Sequence, residues 1–507
     1  MALRSAGATV YATGVALVAQ VAGTVILARL LAPADFGVVA MVTTFSLFFV
    51  NFGLNGFTET VIQCEQIDRY SASNLFWLNL SAGLVLAIAF AAAGSLLATF
   101  YGNPLVKNVA VGLSAGIFIA AASVIHSALL KRSMRFAADS ANLVVGRAAN
   151  SAVAILLALQ GWGYWALVAG IVTQQISTTV GAWWLCPWIP SLPRRTGTTR
   201  SMVRFAVKVY GRFGVRYSSQ NIDKLLIGWK FNAISLGFYK KAYDLFALSA
   251  VQLTSPLHNV ALATLSRLNQ DPERFRRYLA NSLAMVAFVG MAVGTDLALT
   301  GKDVIRLVLG PQWGEAGTIF SLFGPGIGVM LIYNISGWIH LSIGRPDRWL
   351  RWTVFEFVLT ALLLVLGLHW GPAGVAVAWT ASFWLLVIPG LFYAGKPIQF
   401  PVCTIIAAVW KYAFAALLAG GASDEIMRHL ELFGSGSSAM QAFARTAAIS
   451  TLFGALYIAA VICLHRGCDP IYQLARLLRE SMPWVKSEAV PGATPGPGRP
   501  PHESAIG

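Results

Sequence analysis

LLAPADFGVVA (residues 30–40) ends one apolar run, turns over a few residues, and opens the next run at Phe36 and Gly37. KFNAISLGFYK (230–240) repeats the layout: a run ends, a short turn with a small residue follows, then an aliphatic or aromatic residue and a glycine. Gly37 and Gly237 correspond at an offset of 200, as do Gln20 and Gln220, Ile26 and Leu226, and Leu27 and Ile227. A second echo joins WGYWALVAG (162–170) to WGPAGVAVA (370–378), at an offset of 208. Two echoes at nearly one offset imply that helices 1–6 and 7–12 are copies of one bundle. Six spans is an even number, so the copies face the same way and are related by an axis along the membrane normal.

The composition supports spans. Of 507 residues, 57% are hydrophobic and 11% charged, against about 25% charged in a soluble chain; mean hydropathy is +0.66. Topology and intramembrane sites must therefore explain the net charge of +16 before nucleic acid is invoked, and no nucleic-acid partner is expected. Cys64, Cys186, Cys403, Cys463 and Cys468 form no CxxC and no metal-ligand spacing, so they read as packing residues and no metal or cofactor is expected.

Apolar segments long enough for roughly 30 Å of hydrocarbon centre near residues 20, 46, 87, 117, 149, 175, 217, 250, 287, 328, 358, 382, 411 and 452. The fold class is thus an all-α polytopic membrane protein of about fourteen transmembrane helices, in two pseudo-symmetric six-helix lobes plus two extra helices. Basic loops KRSMR (131–135), PRRTGTTR (193–200), RLNQDPERFRR (267–277), RPDRWLR (345–351) and GKP (395–397) alternate with loops nearly free of charge. The positive-inside bias makes the basic set and both termini cytoplasmic. The expected division is 1–200 (helices 1–6), 201–397 (helices 7–12), 398–465 (helices 13 and 14) and 466–507. The last holds an amphipathic segment at 469–480 and a Pro/Gly-rich tail.

LARLLAPADFGVVAMVTTFSLFFVNFGLNGFTETVIQ (27–63), NIDKLLIGWKFNAISLGFYKKAYDL (221–245) and SPLHNVALATLSRLNQDPERFRRYL (255–279) resemble bacterial polysaccharide flippases. The chain is similar over residues 5 to 465 to the oligosaccharide transporter branch of the multidrug/oligosaccharidyl-lipid/polysaccharide exporter superfamily, near the Wzx-type and exopolysaccharide exporters. The resemblance implies that fold, and movement of undecaprenyl-diphosphate-linked oligosaccharide from the cytoplasmic to the periplasmic leaflet by alternating access. It implies the bacterial inner membrane as the location, membrane lipids as surroundings, and a polysaccharide polymerase and chain-length regulator as partners. The pathway is exopolysaccharide, capsule or lipopolysaccharide O-antigen synthesis.

YGRFGVRYSSQNIDKLLIGW (210–229) tests this implication. At 100° per residue, Lys208, Arg212 and Arg216 fall at about 0°, 40° and 80° on helix 7, with Asp223 at about 60° and Lys224 at about 160°. A basic residue at mid-membrane costs roughly 2.5–3.5 kcal/mol, so this stripe faces protein or water. Two readings stand. One is an internal ion-pair network, with Asp223 serving Arg216 or a neighbouring helix. The other is a cationic cavity for a diphosphate, whose oxygens suit guanidinium forks; the local excess of cations favours it.

Arg147, deep in helix 5, is the next cavity residue, whereas Asp139 should pair with Arg135 at i−4. Glu356 is the carboxylate suited to a coupling proton. Arg29 and Lys230 close helices 1 and 7 as interfacial anchors or as an outer gate. Tyr210, Tyr217 and Tyr333 are possible sugar contacts. Pro256, Pro325 and Pro389 should interrupt helices 8, 10 and 12, with Gly324, Pro325 and Gly326 as a hinge for lobe rocking.

An enzyme is not expected. The outer loops at 300–316 and 421–440 carry Asp303, Glu315, Asp424, Glu425, His429 and Glu431 without a paired catalytic motif. A multidrug cation antiporter of the same superfamily would carry an acidic residue in helix 1, yet residues 10–28 hold no charge. A peptidoglycan lipid-precursor flippase shares the lipid diphosphate and stays open as an alternative.

Overall fold

A computed structural model describes residues 20–64, 68–194, 197–268, 271–430, 439–468 and 472. The amphipathic segment at 469–480, the tail and the first half of helix 1 fall almost wholly outside these residues. The described chain is helical, with no strand: α1 (Gln20–Leu30), α2 (Pro33–Gln63), α3 (Arg69–Tyr101), α4 (Leu105–Ala121), α5 (Val124–Arg132), α6 (Phe136–Leu159), α7 (Tyr164–Leu185), α8 (Gly197–Lys230), α9 (Ala233–Arg267), α10 (Pro272–Leu309), α11 (Gly314–Ser342), α12 (Pro346–Gly367), α13 (Gly371–Gly395), α14 (Val402–Leu430) and α15 (Ala439–His465).

With α4 and α5 taken as one bent rod, the described helices make the fourteen rods expected from sequence. Nine described segments are long and apolar enough to cross a bilayer, one of them (Asp347–Ile398) holding both α12 and α13. The chain is a multi-pass membrane protein. The rods outside those segments are α1, of which few residues are described, α7, α8 and α9. Helix α7 is polar because it is bonded to its neighbours: Asn150 donates to Gln174 at 2.9 Å, Asn142 to the Thr178 carbonyl at 2.8 Å, and Thr179 to the Ile119 carbonyl at 3.0 Å. Helices α8 and α9 are the charged pair.

Sequence-coded caps set the starts. Asp68, Asn232 and Asp271 accept from Ser71, Ser235 and Arg274 backbone N–H groups, and Pro33, Pro272 and Pro346 take the first helical position. Gly102 closes α3 at φ 61°, in the left-handed region. The break between α4 and α5 was not expected. Its freed carbonyls are satisfied by side chains, Asn79 donating to Ala121 at 2.7 Å and Trp183 to Ala122 at 2.9 Å, as hydrocarbon requires.

The three prolines expected to interrupt helices do not: α9, α11 and α13 run through Pro256, Pro325 and Pro389. Around Pro325 the chain is packed against a neighbour. A Cβ on Gly324 would meet the Gly294 carbonyl oxygen at 2.7 Å, and one on Gly290 would meet Gly328 Cα at 3.1 Å. The pairs Gly290/Gly294 and Gly324/Gly328, each spaced by four, thus let α10 and α11 approach backbone to backbone. Gly326 packs against Thr380 and Trp379 of α13.

Helices α2 and α9 cross at the repeat. A methyl on Gly37 would overlap the Ala233 carbonyl, and one on Gly237 the Pro33 carbonyl. The contacts are reciprocal at the offset of 200: residue 33 meets 237 while 37 meets 233. A two-fold relation between the copies gives this pattern. Helices α2 through α7 pack among themselves, as do α9 through α13, while α14 and α15 lie on α10. Helix α2 joins the two sets, against α8 and α9.

Candidate functional site

Helix α8 is continuous from Gly197 to Lys230, so Lys208, Arg212 and Arg216 hold successive turns of one stripe. The side chains of Lys208, Tyr210, Arg212 and Arg216 lie outside the described part of the structure. The end of the stripe toward Lys230 is described, and it is buried. Asp223, Lys224 and, from α9, Lys241 are 3%, 5% and 9% exposed.

Asp223 is satisfied in part by a neighbouring helix: Tyr239 donates its hydroxyl to Oδ2 at 2.9 Å, and Lys224 Nζ lies 3.5 Å from Oδ1. Lys224, placed to one side by helical geometry, is turned inward, donating to the Gln220 carbonyl at 3.0 Å with its ammonium 3.9 Å from the Tyr243 ring centroid. Lys240 is paired with Asp244 at 2.5 Å. Among the described residues Lys241 has no hydrogen-bonded carboxylate; its ammonium stands 4.0 Å from the centroid of Phe36, on α2. With one positive charge in excess among these five groups, the cluster is cationic.

The energetics single out Lys241. It is eight residues into α9, roughly 12 Å along the axis, where an ammonium costs roughly 2.5–3.5 kcal/mol. A cation–π contact returns about 0.5–2 kcal/mol. The matched residue of the first copy is Met41, which is fully buried, so the packing at this position does not call for a charge.

Beside this cluster the chain is tied shut. Trp313, fully buried after α10, donates Nε1–H to the Ala28 carbonyl at 2.8 Å, and Gln312 reaches the same carbonyl at 2.6 Å. The Trp313 ring meets Phe36 and Phe238 edge-on, with centroids 5.4 and 5.9 Å apart. Arg29 donates to the Leu307 carbonyl at 2.7 Å. It is therefore bonded across to the end of α10, more than an interfacial anchor, while Lys230 is exposed. Among the other aromatics, Tyr217 donates to the Thr44 carbonyl on α2 at 2.7 Å and packs on Phe48 and Phe213.

The remaining sequence-singled residues are apart from this seam. Arg147 lies 3.4 Å from Gln20 across α6 and α1. Asp139 pairs with Lys131 at 3.6 Å, not with Arg135, which donates to the Leu185 carbonyl instead. Glu356 on α12 accepts from Tyr333 at 2.7 Å, and Tyr333 in turn accepts from Trp352 at 2.7 Å. Tyr333 is buried with its hydroxyl committed at both ends, which leaves no edge for a sugar. Tyr239, Tyr243, Phe36, Gln312 and Trp313 were not singled out from sequence. The spacing of Tyr239 and Tyr243, one helical turn apart around Lys240 and Lys241, is a signal that could have found those two.

The sequence model of the polysaccharide biosynthesis protein family matches residues 26–317, more than half of the chain. The chain belongs to this family. It is 22% identical over 354 residues to the succinoglycan biosynthesis transport protein ExoT of Rhizobium meliloti, covering 70% of this chain and 72% of that protein. It is 21% identical over 399 residues to the lipopolysaccharide biosynthesis protein WzxC of Escherichia coli, covering 76% and 77%. Among solved structures, the lipid II flippase MurJ in an inward closed conformation superposes with a TM-score of 0.68 at 13% identity, covering 89% of this chain and 99% of that one. An inward-facing multidrug resistance MATE family transporter gives 0.58 at 14%, covering 76% and 94%. These likenesses show that this family member shares its fold with both.

Proposed function

We propose that this chain is a flippase that carries an oligosaccharide, linked through diphosphate to a polyprenyl lipid, from the cytoplasmic to the outer leaflet of the bacterial inner membrane for surface polysaccharide synthesis. The carrying observation is that, in a member of the polysaccharide biosynthesis family, the charged helices α8 and α9 hold buried cations in excess of carboxylates where α2 meets them. In this proposal residues 1–200 and 201–397 are two lobes, residues 398–465 an added pair of helices, and α2 lies at the seam. The headgroup enters between the lobes from the side of the basic loops. Arg212 and Arg216 hold the diphosphate, whose roughly two negative charges two guanidiniums match. Arg147 and Lys208 flank the path, and the lipid tail stays in the bilayer. We also assign proton coupling to Glu356, a carboxylate whose described partner is the neutral Tyr333.

The test is charge reversal in a strain lacking the chromosomal copy, with surface polymer and protein level measured. Arg212→Glu and Arg216→Glu should each abolish polymer at normal protein level; normal polymer in both would refute the site. Rescue of a peptidoglycan-precursor flippase deletion, without rescue of surface polymer, would move the substrate to the cell-wall precursor.

A further inference from the structure

Of the cations beside the α2–α9 seam that the proposed diphosphate site does not use, Lys241 is the one that stands over a ring of α2. Lys241 is nine-tenths buried. The acids around it are already engaged: Asp244 by Lys240 at 2.5 Å, and Asp223 by Tyr239 at 2.9 Å and Lys224 at 3.5 Å. What Lys241 does meet is the ring of Phe36, and Phe36 belongs to the other helix of the Gly37–Gly237 crossing. That contact exists only while α2 lies against α9. Trp313 backs the Phe36 ring and is itself pinned to the end of α1. The cover over the ammonium is thus built into the closure of this end.

We infer that Lys241 is a masked anion-binding residue: Phe36 covers its ammonium while the seam is shut, and parting of α2 and α9 presents it to the diphosphate of the headgroup. This inference rests on the flippase reading. An ammonium uncovered inside a membrane protein needs a counter-charge, and a phosphate oxygen supplies a charge-assisted hydrogen bond that a ring face cannot. An anion that binds Lys241 in the parted state alone shifts the population toward that state. The headgroup therefore favours the opening through which it leaves. Lys224 cannot serve in the same way while Asp223 and the Gln220 carbonyl hold it.

The test titrates inorganic pyrophosphate into the full chain in nanodiscs, by calorimetry, for the wild type, Phe36→Leu, Lys241→Met and the double variant. Leu keeps apolar bulk at the seam and removes the ring face; Phe36→Tyr, which keeps the face, should bind as the wild type does. Phe36→Leu should tighten pyrophosphate binding about tenfold, the reach of one cation–π contact, and the gain should vanish in the double variant. No gain in Phe36→Leu, or a gain that survives Lys241→Met, would overturn the assignment. Transport of a labelled lipid-diphosphate glycan by the wild type is measured in parallel. Its absence refutes the flippase reading, while the pyrophosphate titration still decides on Lys241.

Discussion

Gly37→Ala is the sharpest perturbation of the seam. The added methyl would overlap the Ala233 carbonyl oxygen and crowd its carbon, with Ala233 Cα 3.0 Å away. Neither is the end of a flexible side chain, so α2 and α9 must part by about 2 Å to restore ordinary contact. Overpacking typically costs 1–3 kcal/mol; alanine's better helix propensity is common to the closed and parted states and drops out of the balance. The closed seam should thus lose about 2 kcal/mol, roughly a thirtyfold shift toward the parted state. The assay is maleimide labelling of a Leu236→Cys reporter in a cysteine-free background, since Leu236 is fully buried at the crossing. Gly454→Ala is the control, because nothing lies within 4 Å of its added Cβ. Gly37→Ala should label about thirty times faster in the limit of rapid opening, and Gly237→Ala should behave alike. Equal rates for Gly37→Ala and Gly454→Ala would refute the close crossing.

Trp313→Phe deletes the Nε1–H bond to the Ala28 carbonyl and keeps the ring. At about 1 kcal/mol per hydrogen bond it should raise labelling of the same reporter roughly fivefold. Asp303→Asn removes a charge that Arg445 grips through two nitrogens, tying α10 to α15. Stability of the purified protein should drop by about 1–3 kcal/mol, and Asp303→Asn with Arg445→Met should recover part of it, as read by thermal unfolding in detergent. Glu356→Gln keeps an acceptor for Tyr333 and removes the titratable group. Transport in vesicles should persist downhill and lose its acceleration by an imposed proton gradient; retained acceleration refutes the coupling assignment.

The rods, their order and their short turns were legible in the sequence, because hydropathy over twenty residues and Gly, Pro or Asn at the ends are local signals. So was the repeat, whose Gly37 and Gly237 meet the opposite backbone where α2 and α9 cross. Less legible was anything set by a partner helix. Asn79 and Trp183 support the α4–α5 break from other helices, so no local breaker marked it. Pro325 signalled an interruption, yet α11 runs on through it beside the close packing of α10 and α11. Helical angles put Asp223 on the stripe and Lys224 off it, yet Tyr239 and Tyr243 of α9 draw both into one cluster. Tyr333 had the composition of a sugar contact and the surroundings of a core hydroxyl. The charge excess was visible; that one of its cations would be covered by Phe36, 205 residues earlier, was not.

The most direct test is leaflet exchange by the purified chain in liposomes carrying a fluorescent polyprenyl-diphosphate oligosaccharide, scored by quenching from outside. The wild type should equilibrate the probe between leaflets, and Arg212→Glu with Arg216→Glu should leave it where it was placed. Wild-type liposomes as slow as protein-free ones, or charge-reversed protein as fast as wild type, would contradict the account.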